Sequence, residues 1–250
     1  MRLGLISALH QEQAGLIDAM TDITVETRAM RDYTAGKLWD TEVVCVLGRV
    51  GKVAAAATAA TLIERFGVTH ILFTGVAGGA SSQMKPGDIV VADALVQHDM
   101  DATPLFPRYE VPLLGQTRFA SDRTLSDELM RAAAHFLEND LEHMVDSADR
   151  ETFRLAAPCL HRGLVGSSDE FIDSAARLQQ LRTAFPDLLA VEMEGAAVAQ
   201  VCFEFGVPFG VIRTISDGAD ESAPRDFMRF IDRVAARYAQ GVLRRFLQPG

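Results

Sequence analysis

The chain has 250 residues, 48% of them hydrophobic and 23% charged, which is typical of a globular protein and excludes a disordered or fibrous one. The chain contains 24 Lys and Arg residues and 34 Asp and Glu residues, so its formal net charge is −10. An acidic surface repels phosphate backbones and anionic lipids, and we therefore expect neither a nucleic-acid partner nor a membrane partner.

Short β-branched segments alternate along the chain with longer segments that have helical spacing. The predicted strands cover residues 3–9, 43–47, 70–74, 89–96, 164–165, 188–192 and 209–214. The predicted helices cover residues 11–20, 53–66, 125–137 and 195–205, and a last helix begins near Pro224. We expect Gly67 and Gly206 to end two of these helices. Residues 99–122, rich in Pro, Gly and aromatic side chains, are expected to form a functional or interfacial loop.

This alternation predicts a single α/β domain over residues 1–250. Strands that are apolar on both faces need cover on both sides, and helical segments between the strands can supply that cover. We therefore expect a central twisted sheet, mixed but mostly parallel, with helices on both faces.

The three cysteines form no CxxC pair, so the sequence predicts neither a disulfide framework nor a zinc knuckle. Cys45, Cys159 and Cys202 are expected to be buried free thiols in a reducing compartment. The apolar stretch at residues 3–9 is too short for an export signal, and no run of about 18 apolar residues suggests a membrane span. These features predict a soluble, cytoplasmic protein.

Carboxylates follow three of the predicted strands. Glu12 comes after the first strand, Glu192 and Glu194 flank the end of the strand at 188–192, and Asp217 follows the strand at 209–214. Ligands of open α/β sheets bind outside the carboxyl ends of the strands, so we expect these groups to converge on one floor. The glycines at residues 75–79 fit either a tight strand–helix turn or a bare backbone that a flat ligand can approach.

Taken singly, these residues have ordinary interpretations. A carboxylate at position 194 complements a helix dipole, and an aspartate before a glycine is most often a turn residue. The segment His98-Asp99-Met100-Asp101 has no His or Cys partner at ligand spacing, so a solvated loop is favoured and no metal site is predicted.

Two segments are more specific in combination. Residues 191–196, VEMEGA, and residues 213–220, RTISDGAD, together resemble the 5′-methylthioadenosine/S-adenosylhomocysteine nucleosidases of the purine nucleoside phosphorylase-like family. The similarity extends through most of the chain, including GKVAA at 51–55, GDIVV at 87–91 and DEFI at 169–172. The resemblance implies hydrolysis of the N-glycosidic bond of 5′-thio-substituted adenosines, without a cofactor or a metal.

The resemblance also implies roles for the carboxylates. Glu12 matches the base that activates water, and Asp217 matches the acid that protonates the purine at nitrogen 7. Because an unperturbed aspartate has a pKa of about 3.9, Asp217 must be desolvated or hydrogen-bonded in its neutral form to donate a proton near neutral pH. The two carboxyl groups of one site would then hold opposite protonation states.

The same resemblance implies a set of substrate contacts. Glu194 and Met193 match residues that contact the ribose. Phe171 matches an aromatic ring that stacks on adenine, and the backbone of Ile172 matches a segment that hydrogen-bonds the edge of the base. The remaining positions matched to substrate binding are Gly78, Arg213 and Ser216. The family forms a homodimer whose partner subunit completes the 5′-thio pocket, and residues 99–115 are the segment expected to do so.

Three residues depart from the pattern of this family. Val76 stands where serine is common, Ser168 replaces a glycine before the adenine-stacking loop, and Arg49 replaces a small residue beside Gly51. A cation at position 49 leaves open a phosphate site and therefore a nucleoside phosphorylase. The carboxylate at position 12 would repel phosphate, which favours hydrolysis. The alternative from a different functional class is a protein module that binds nucleosides without catalysing a reaction.

Overall fold

A computed structural model of the protein describes residues 1–13 and 15–248. Ala14, in the predicted helix at 11–20, and Pro249 and Gly250, at the end of the predicted domain, lie outside the described residues. The strands are β1 Leu3–Ser7, β2 Met20–Arg28, β3 Arg31–Leu38, β4 Thr41–Leu47, β5 His70–Gly79, β6 Ile89–Gln97, β7 Arg118–Ala120, β8 Leu160–Ser167, β9 Leu188–Glu192 and β10 Phe209–Asp217. The helices are α1 His10–Gln13, α2 Lys52–Phe66, α3 Arg123–His135, α4 Leu141–Met144, α5 Ser147–Thr152, α6 Ala175–Ala184, α7 Gly195–Phe205, α8 Ala223–Phe230 and α9 Ala236–Leu247.

The sheet is mixed, and part of it closes on itself. From one edge the order is β2-β3-β4-β1-β5, and β5 then joins a ring in which β10, β6, β8 and β9 follow one another back to β5. Five pairings are parallel and five are antiparallel, so the expectation of a mostly parallel sheet is wrong. The ring closes because β5 is long enough to pair with β1 at its start and with β9 at Gly78 and Gly79.

Adjacent residues of the central strands point into two different cores. In β5, Leu72 packs in a core with α3 and α9, whereas Ile71 and Phe73 pack in a core with α2 and α7. This division follows from the alternation of side chains along a strand. It explains why these strands are apolar at nearly every position.

The N-terminal third differs most from the sequence prediction. Where a helix was expected at residues 11–20, the chain forms the short helix α1, a 3₁₀ turn at Ile17–Ala19 and the start of β2. Strands β2 and β3 form an antiparallel hairpin that the sequence analysis missed. The strand predicted at 70–74 continues to Gly79, and the one predicted at 164–165 is the full strand β8. The predicted ends of α2 and α7 at Gly67 and Gly206 are confirmed.

The expectations for the cysteines and for membrane-spanning segments can also be compared with the structure. Cys45 and Cys202 are buried as expected, but Cys159 is exposed, so the expectation of three buried thiols is wrong for that residue. The helices built from the described residues include none that is long and apolar enough to traverse a lipid bilayer.

A buried ion pair joins β10 to the end of β9. The Arg213 guanidinium lies 2.7 Å from a carboxylate oxygen of Glu192, and both side chains are almost fully buried. Arg213 also donates to the Phe73 carbonyl at 3.1 Å and lies over the Phe73 ring at 4.0 Å. Glu192 accepts the backbone N–H of Gly195 at the start of α7 and the hydroxyl of Ser167 on β8. The pair therefore connects β5, β8, β9, β10 and α7.

Replacing Arg213 with Met should leave the Glu192 carboxylate buried without its cation. We expect the free energy of unfolding to fall by about 3–5 kcal/mol, the usual cost of removing one partner of a buried pair. Urea denaturation followed by circular dichroism measures the loss. Arg118→Met is the matched control, because it removes an exposed pair with Asp187 and should cost less than about 1 kcal/mol. Equal losses in the two variants would contradict this account.

Candidate active site

A cavity of about 390 Å³ opens where several strands end. Its wall is built from the segment after β1, the end of β5, the turn between β9 and α7, the end of β10 and one side of α8. This volume lies within the range of about 300–1,000 Å³ that is usual for small-molecule sites. No His, Cys, Lys or Arg lines the cavity among the residues that the structure describes, so its ionisable groups are carboxyl groups.

Glu12 lies on α1 with its carboxylate held by three backbone donors. The N–H groups of Ala8 and Leu9 donate to Oε2 at 2.8 and 2.9 Å, and the N–H of Val76 donates to Oε1 at 3.1 Å. Burial raises the pKa of Glu12, while these hydrogen bonds and the positive charge of Arg213 act in the opposite direction. The side chain is therefore fixed in position at the cavity wall.

Asp217, the last residue of β10, faces the same cavity with a different set of partners. The backbone N–H of Ala219 donates to Oδ1 at 2.9 Å, and the Ser216 hydroxyl donates to Oδ2 at 2.7 Å. Burial raises the pKa of Asp217, and the nearby negative charges of Asp220 and Asp226 raise it further. This carboxyl group has fewer donors than Glu12 and more negative neighbours.

Two glycines of β5 make room for these carboxyl groups. A Cβ atom on Gly75 would lie 2.8 Å from Oε1 of Glu12, and one on Gly78 would lie 3.0 Å from Oδ1 of Asp217. Residues 75–79 belong to the strand itself, so the interpretation as a tight turn is wrong. The bare backbone admits the two carboxyl groups to the strand surface.

Glu194 forms another side of the cavity, between β9 and α7. The backbone N–H of Gly51 donates to its Oε1 at 2.8 Å. Burial and the adjacent charge of Glu192 raise the pKa of Glu194 to about 8. Since the side chain is buried and has an acceptor oxygen beyond the Gly51 bond, it is suited to bind hydroxyl groups of a ligand.

A set of polar contacts holds the loop that carries Phe171 and Ile172. Lys52 Nζ lies 2.6 Å from Oδ1 of Asp99, whose Oδ2 accepts the backbone N–H of Asp169 at 3.0 Å. The Asp169 carboxylate in turn accepts the backbone N–H of Lys52 at 2.8 Å. These bonds connect the start of α2, next to Gly51, to the loop after β8. The expectation of a solvated loop at residues 98–101 is wrong for His98, which is buried.

The structure brings most of the predicted site residues together. Those that line the cavity are Glu12, Gly78, Phe171, Ile172, Met193, Glu194 and Asp217. Arg213 and Ser216 lie behind the wall, because the side chain of Arg213 is bound to Glu192 and that of Ser216 to Asp217. Phe171 is 39% exposed and contacts the edge of the Phe227 ring on α8, so it forms part of the mouth.

The three departures from the family pattern have local explanations. Val76 still donates its backbone N–H to Glu12 although its side chain has no hydroxyl. The Ser168 hydroxyl bonds the backbone of Glu170 within the loop. Arg49 is exposed and donates to the Met30 carbonyl, so its guanidinium is directed away from the cavity.

Sequence reasoning placed Glu192 and the glycines at 75–79 at the site without giving them individual roles, and it missed Gly51 and Lys52. These residues act through backbone contacts or through partners that are distant along the chain, as the separation of 143 positions between Gly51 and Glu194 shows. For Glu192, the sequence did contain a signal: an apolar strand ends in a carboxylate, and a helix begins three residues later. That pattern indicates a carboxylate bound to a helix N-terminus.

Comparison with known proteins places this site in a family. The model of the phosphorylase superfamily matches residues 2–248. A 5′-methylthioadenosine/S-adenosylhomocysteine nucleosidase from Shewanella putrefaciens is 37% identical over 231 residues, which cover 92% of each chain. The nucleosidase of the same name from a Marinomonas species is 34% identical over 247 residues, which cover 98% of each chain.

Solved structures agree with this placement. The nucleosidase from Neisseria meningitidis in complex with methylthio-immucillin-A superposes with a TM-score of 0.87 at 31% identity, covering 100% of this chain and 99% of that one. Futalosine hydrolase from Helicobacter pylori superposes with a TM-score of 0.82 at 29% identity, covering 97% of this chain and 96% of that one. The chain belongs to the phosphorylase superfamily, and its mixed α/β sheet with flanking helices is the fold of that family's nucleosidases.

Proposed function

We propose that this protein is a nucleosidase that hydrolyses the N-glycosidic bond of 5′-methylthioadenosine, S-adenosylhomocysteine and related 5′-modified adenosines. The products are adenine and the corresponding thioribose. The observation that carries the proposal is that Glu12 and Asp217, from separate elements, face one nucleoside-sized cavity. The names of its relatives, at 34–37% identity over most of the chain, point to the same reaction.

The chemistry of the bond explains the two carboxyl groups. Cleavage moves negative charge into the purine and leaves an oxocarbenium-like sugar, so an acid at the base and a carboxylate at the sugar both stabilise the transition state. Asp217, whose pKa is raised by burial, is suited to donate a proton to nitrogen 7 of the purine. Glu12, held by three N–H donors, is suited to accept a proton from the attacking water.

Other residues of the wall are assigned to substrate binding. Glu194 and Met193 are proposed to contact the ribose, with the Glu194 carboxyl group bound to its hydroxyls. Phe171 is proposed to stack on adenine, while the Ile172 backbone binds the edge of the base. Gly78 supplies a backbone contact beside Asp217.

Arg213 and Ser216 are proposed to act through their neighbours. Ser216 donates to Asp217 and fixes the orientation of that carboxyl group. Arg213 fixes Glu192, which accepts the backbone N–H of Glu194 at 3.2 Å and so orients the ribose-binding turn. Both residues are therefore assigned as positioning residues, in place of the direct substrate contacts that the resemblance implies.

Hydrolysis is favoured over phosphorolysis by the charge of the cavity. Phosphate needs fixed cationic or backbone donors at the position of the nucleophile. In the described part of the chain the cavity wall carries five carboxyl groups and no Lys or Arg, and Arg49 is bound elsewhere. A non-catalytic nucleoside-binding module would have no need for both Glu12 and Asp217.

A homodimer without a cofactor is the proposed working form of the enzyme, with residues 1–250 acting as one domain. Exposed apolar side chains support the dimer: Val53 on α2, and Leu105 and Leu113 in the segment predicted to meet the partner subunit. They are 81%, 84% and 90% exposed, respectively. A second copy would cover them. The cytoplasmic location stays a prediction from the sequence.

Product analysis tests the proposed function. Incubation with 5′-methylthioadenosine should release adenine and free methylthioribose at the same rate with and without added phosphate. A rate that depends on phosphate, with methylthioribose-1-phosphate as product, would identify a phosphorylase. Bound substrate that survives intact would identify a binding module. A panel that includes S-adenosylhomocysteine, 5′-deoxyadenosine and futalosine defines the preferred 5′-substituent.

Replacing Asp217 with Asn should separate binding from chemistry. The amide keeps the shape of the side chain but cannot act as an acid, so we expect adenine release to slow by about 10²–10⁴-fold. The Kd for 5′-methylthiotubercidin, which has no nitrogen 7 to accept a proton from Asp217, should change far less, which titration calorimetry measures. Asp187→Asn, an exposed isosteric control, should retain the normal rate. Near-normal turnover by Asp217→Asn would overturn the assignment of the acid.

A further inference from the structure

A second group of ionisable side chains lies at the starts of β6 and β8. Asp88 directly precedes β6, Cys159 directly precedes β8, and His161 is the second residue of β8. Parallel pairing of the two strands aligns these positions, since Ile89 lies opposite Leu160. One carboxylate oxygen, the Cys159 sulfur and one His161 nitrogen all lie within 4.8 Å of one another. None of the three residues lines the nucleoside cavity.

The polar atoms of this group are incompletely satisfied. Asp88 is 2% exposed, and its carboxylate accepts the backbone N–H groups of Cys159 at 2.7 Å and Lys85 at 3.0 Å. In the part of the chain that the structure describes, His161 Nε2 and the Tyr238 hydroxyl are both buried without a hydrogen-bond partner. Tyr238 lies beside this turn, with its hydroxyl 3.1 Å from where a Cβ of Gly87 would be. A ligand bound between these side chains would satisfy both atoms.

The donor atoms have the chemistry of a transition-metal site. A carboxylate oxygen, an imidazole nitrogen and a thiolate sulfur are the ligand types that Zn²⁺ takes in proteins. His161 Nε2 lies 3.5 Å from Oδ2 of Asp88. Two ligands at bond lengths of about 2.0–2.1 Å in a tetrahedral zinc site are separated by roughly 3.3 Å. Little movement is therefore needed to bring both atoms onto one ion.

The third ligand gives the ion a route from solvent. Cys159 is exposed, whereas Cys45 and Cys202 are buried, and burial raises the pKa of each of those two thiols to about 12. A metal needs the thiolate form of a cysteine, so the buried pair are poor ligands. Of the three thiols, Cys159 alone combines access to solvent with a neighbouring histidine and carboxylate.

We infer that Asp88, Cys159 and His161 form a binding site for one divalent transition-metal ion of the zinc class. Three protein ligands leave the fourth position of a tetrahedral ion for water. The site adjoins the strand that carries Asp217, because Gly87 and Asp88 exchange backbone hydrogen bonds of 2.8 Å with Ile215. The bound ion would therefore stabilise this part of the closed ring of strands. The sequence analysis missed the site because 71 residues separate Asp88 from Cys159.

Cobalt titration tests this inference without relying on activity. The full chain, reduced, free of a polyhistidine tag and stripped with a chelator, is titrated with Co²⁺ and followed by absorption. We expect one equivalent to bind with a thiolate-to-Co²⁺ charge-transfer band in the near ultraviolet. Cys159→Ser should abolish the band, and His161→Ala should weaken binding of the ion. His143→Ala, which removes an exposed histidine elsewhere, should leave both unchanged.

Thermal unfolding in the presence of Zn²⁺ supplies a second readout. Binding to the folded state alone raises the Tm, so the wild type should gain stability and the Cys159 and His161 variants should not. Failure of the wild type to bind one equivalent would overturn the inference. So would binding without the thiolate band, or a band that persists in Cys159→Ser.

Discussion

Four buried carboxyl groups at one cavity are the constraint on which the site depends. Glu12, Glu192, Glu194 and Asp217 all contribute to its wall. Among the described residues the only Lys or Arg that is buried is Arg213, and it is paired with Glu192. Removal from water disfavours the charged form of a carboxyl group, so the groups without a cation have raised pKa values. Burial raises the pKa of these groups in common, and their different donors and neighbouring charges are what can give them different protonation states.

The path of β5 lets two of these groups face the same cavity. The strand pairs with β10 along most of its length, and Gly75 and Gly78 remove the side chains that would meet Glu12 and Asp217. Closure of the ring through Gly78 and Gly79 adds β9, which leads into Glu194. Glu12, Asp217 and Glu194 are consequently held by one hydrogen-bonded framework.

Local sequence patterns predicted the elements better than their assembly. The apolar strand at 188–192 and the helix at 195–205 were found with the observed bounds, because burial on both faces and a glycine stop leave clear local signals. The hairpin of β2 and β3 was missed because β2 is mostly exposed and has few apolar residues. Ring closure could not be predicted, since the pairing of β5 with β10 joins residues about 140 positions apart.

For the site, too, the sequence predicted the residues better than their arrangement. The family resemblance, which the VEMEG and RTISDGAD segments carry most specifically, named seven residues that do line the cavity. They also suggested substrate contacts for Arg213 and Ser216, whose side chains are bound to Glu192 and Asp217. A motif identifies the residue types present, whereas the partner that each one selects depends on pairings across the sheet. Hydrogen bonds such as Gly51 to Glu194 therefore become evident only in the folded chain.

The central claim is that the environment separates the protonation states of Glu12 and Asp217. Burial raises the pKa of both groups; at Glu12 three N–H donors and Arg213 oppose this effect, whereas at Asp217 two donors oppose it and the negative charges of Asp220 and Asp226 add to it. A ¹³C NMR titration of the carboxyl carbons, assigned with Glu12→Gln and Asp217→Asn, measures both pKa values directly. We predict that Asp217 keeps its proton to a higher pH than Glu12. A pKa of Glu12 equal to or above that of Asp217 would contradict the account.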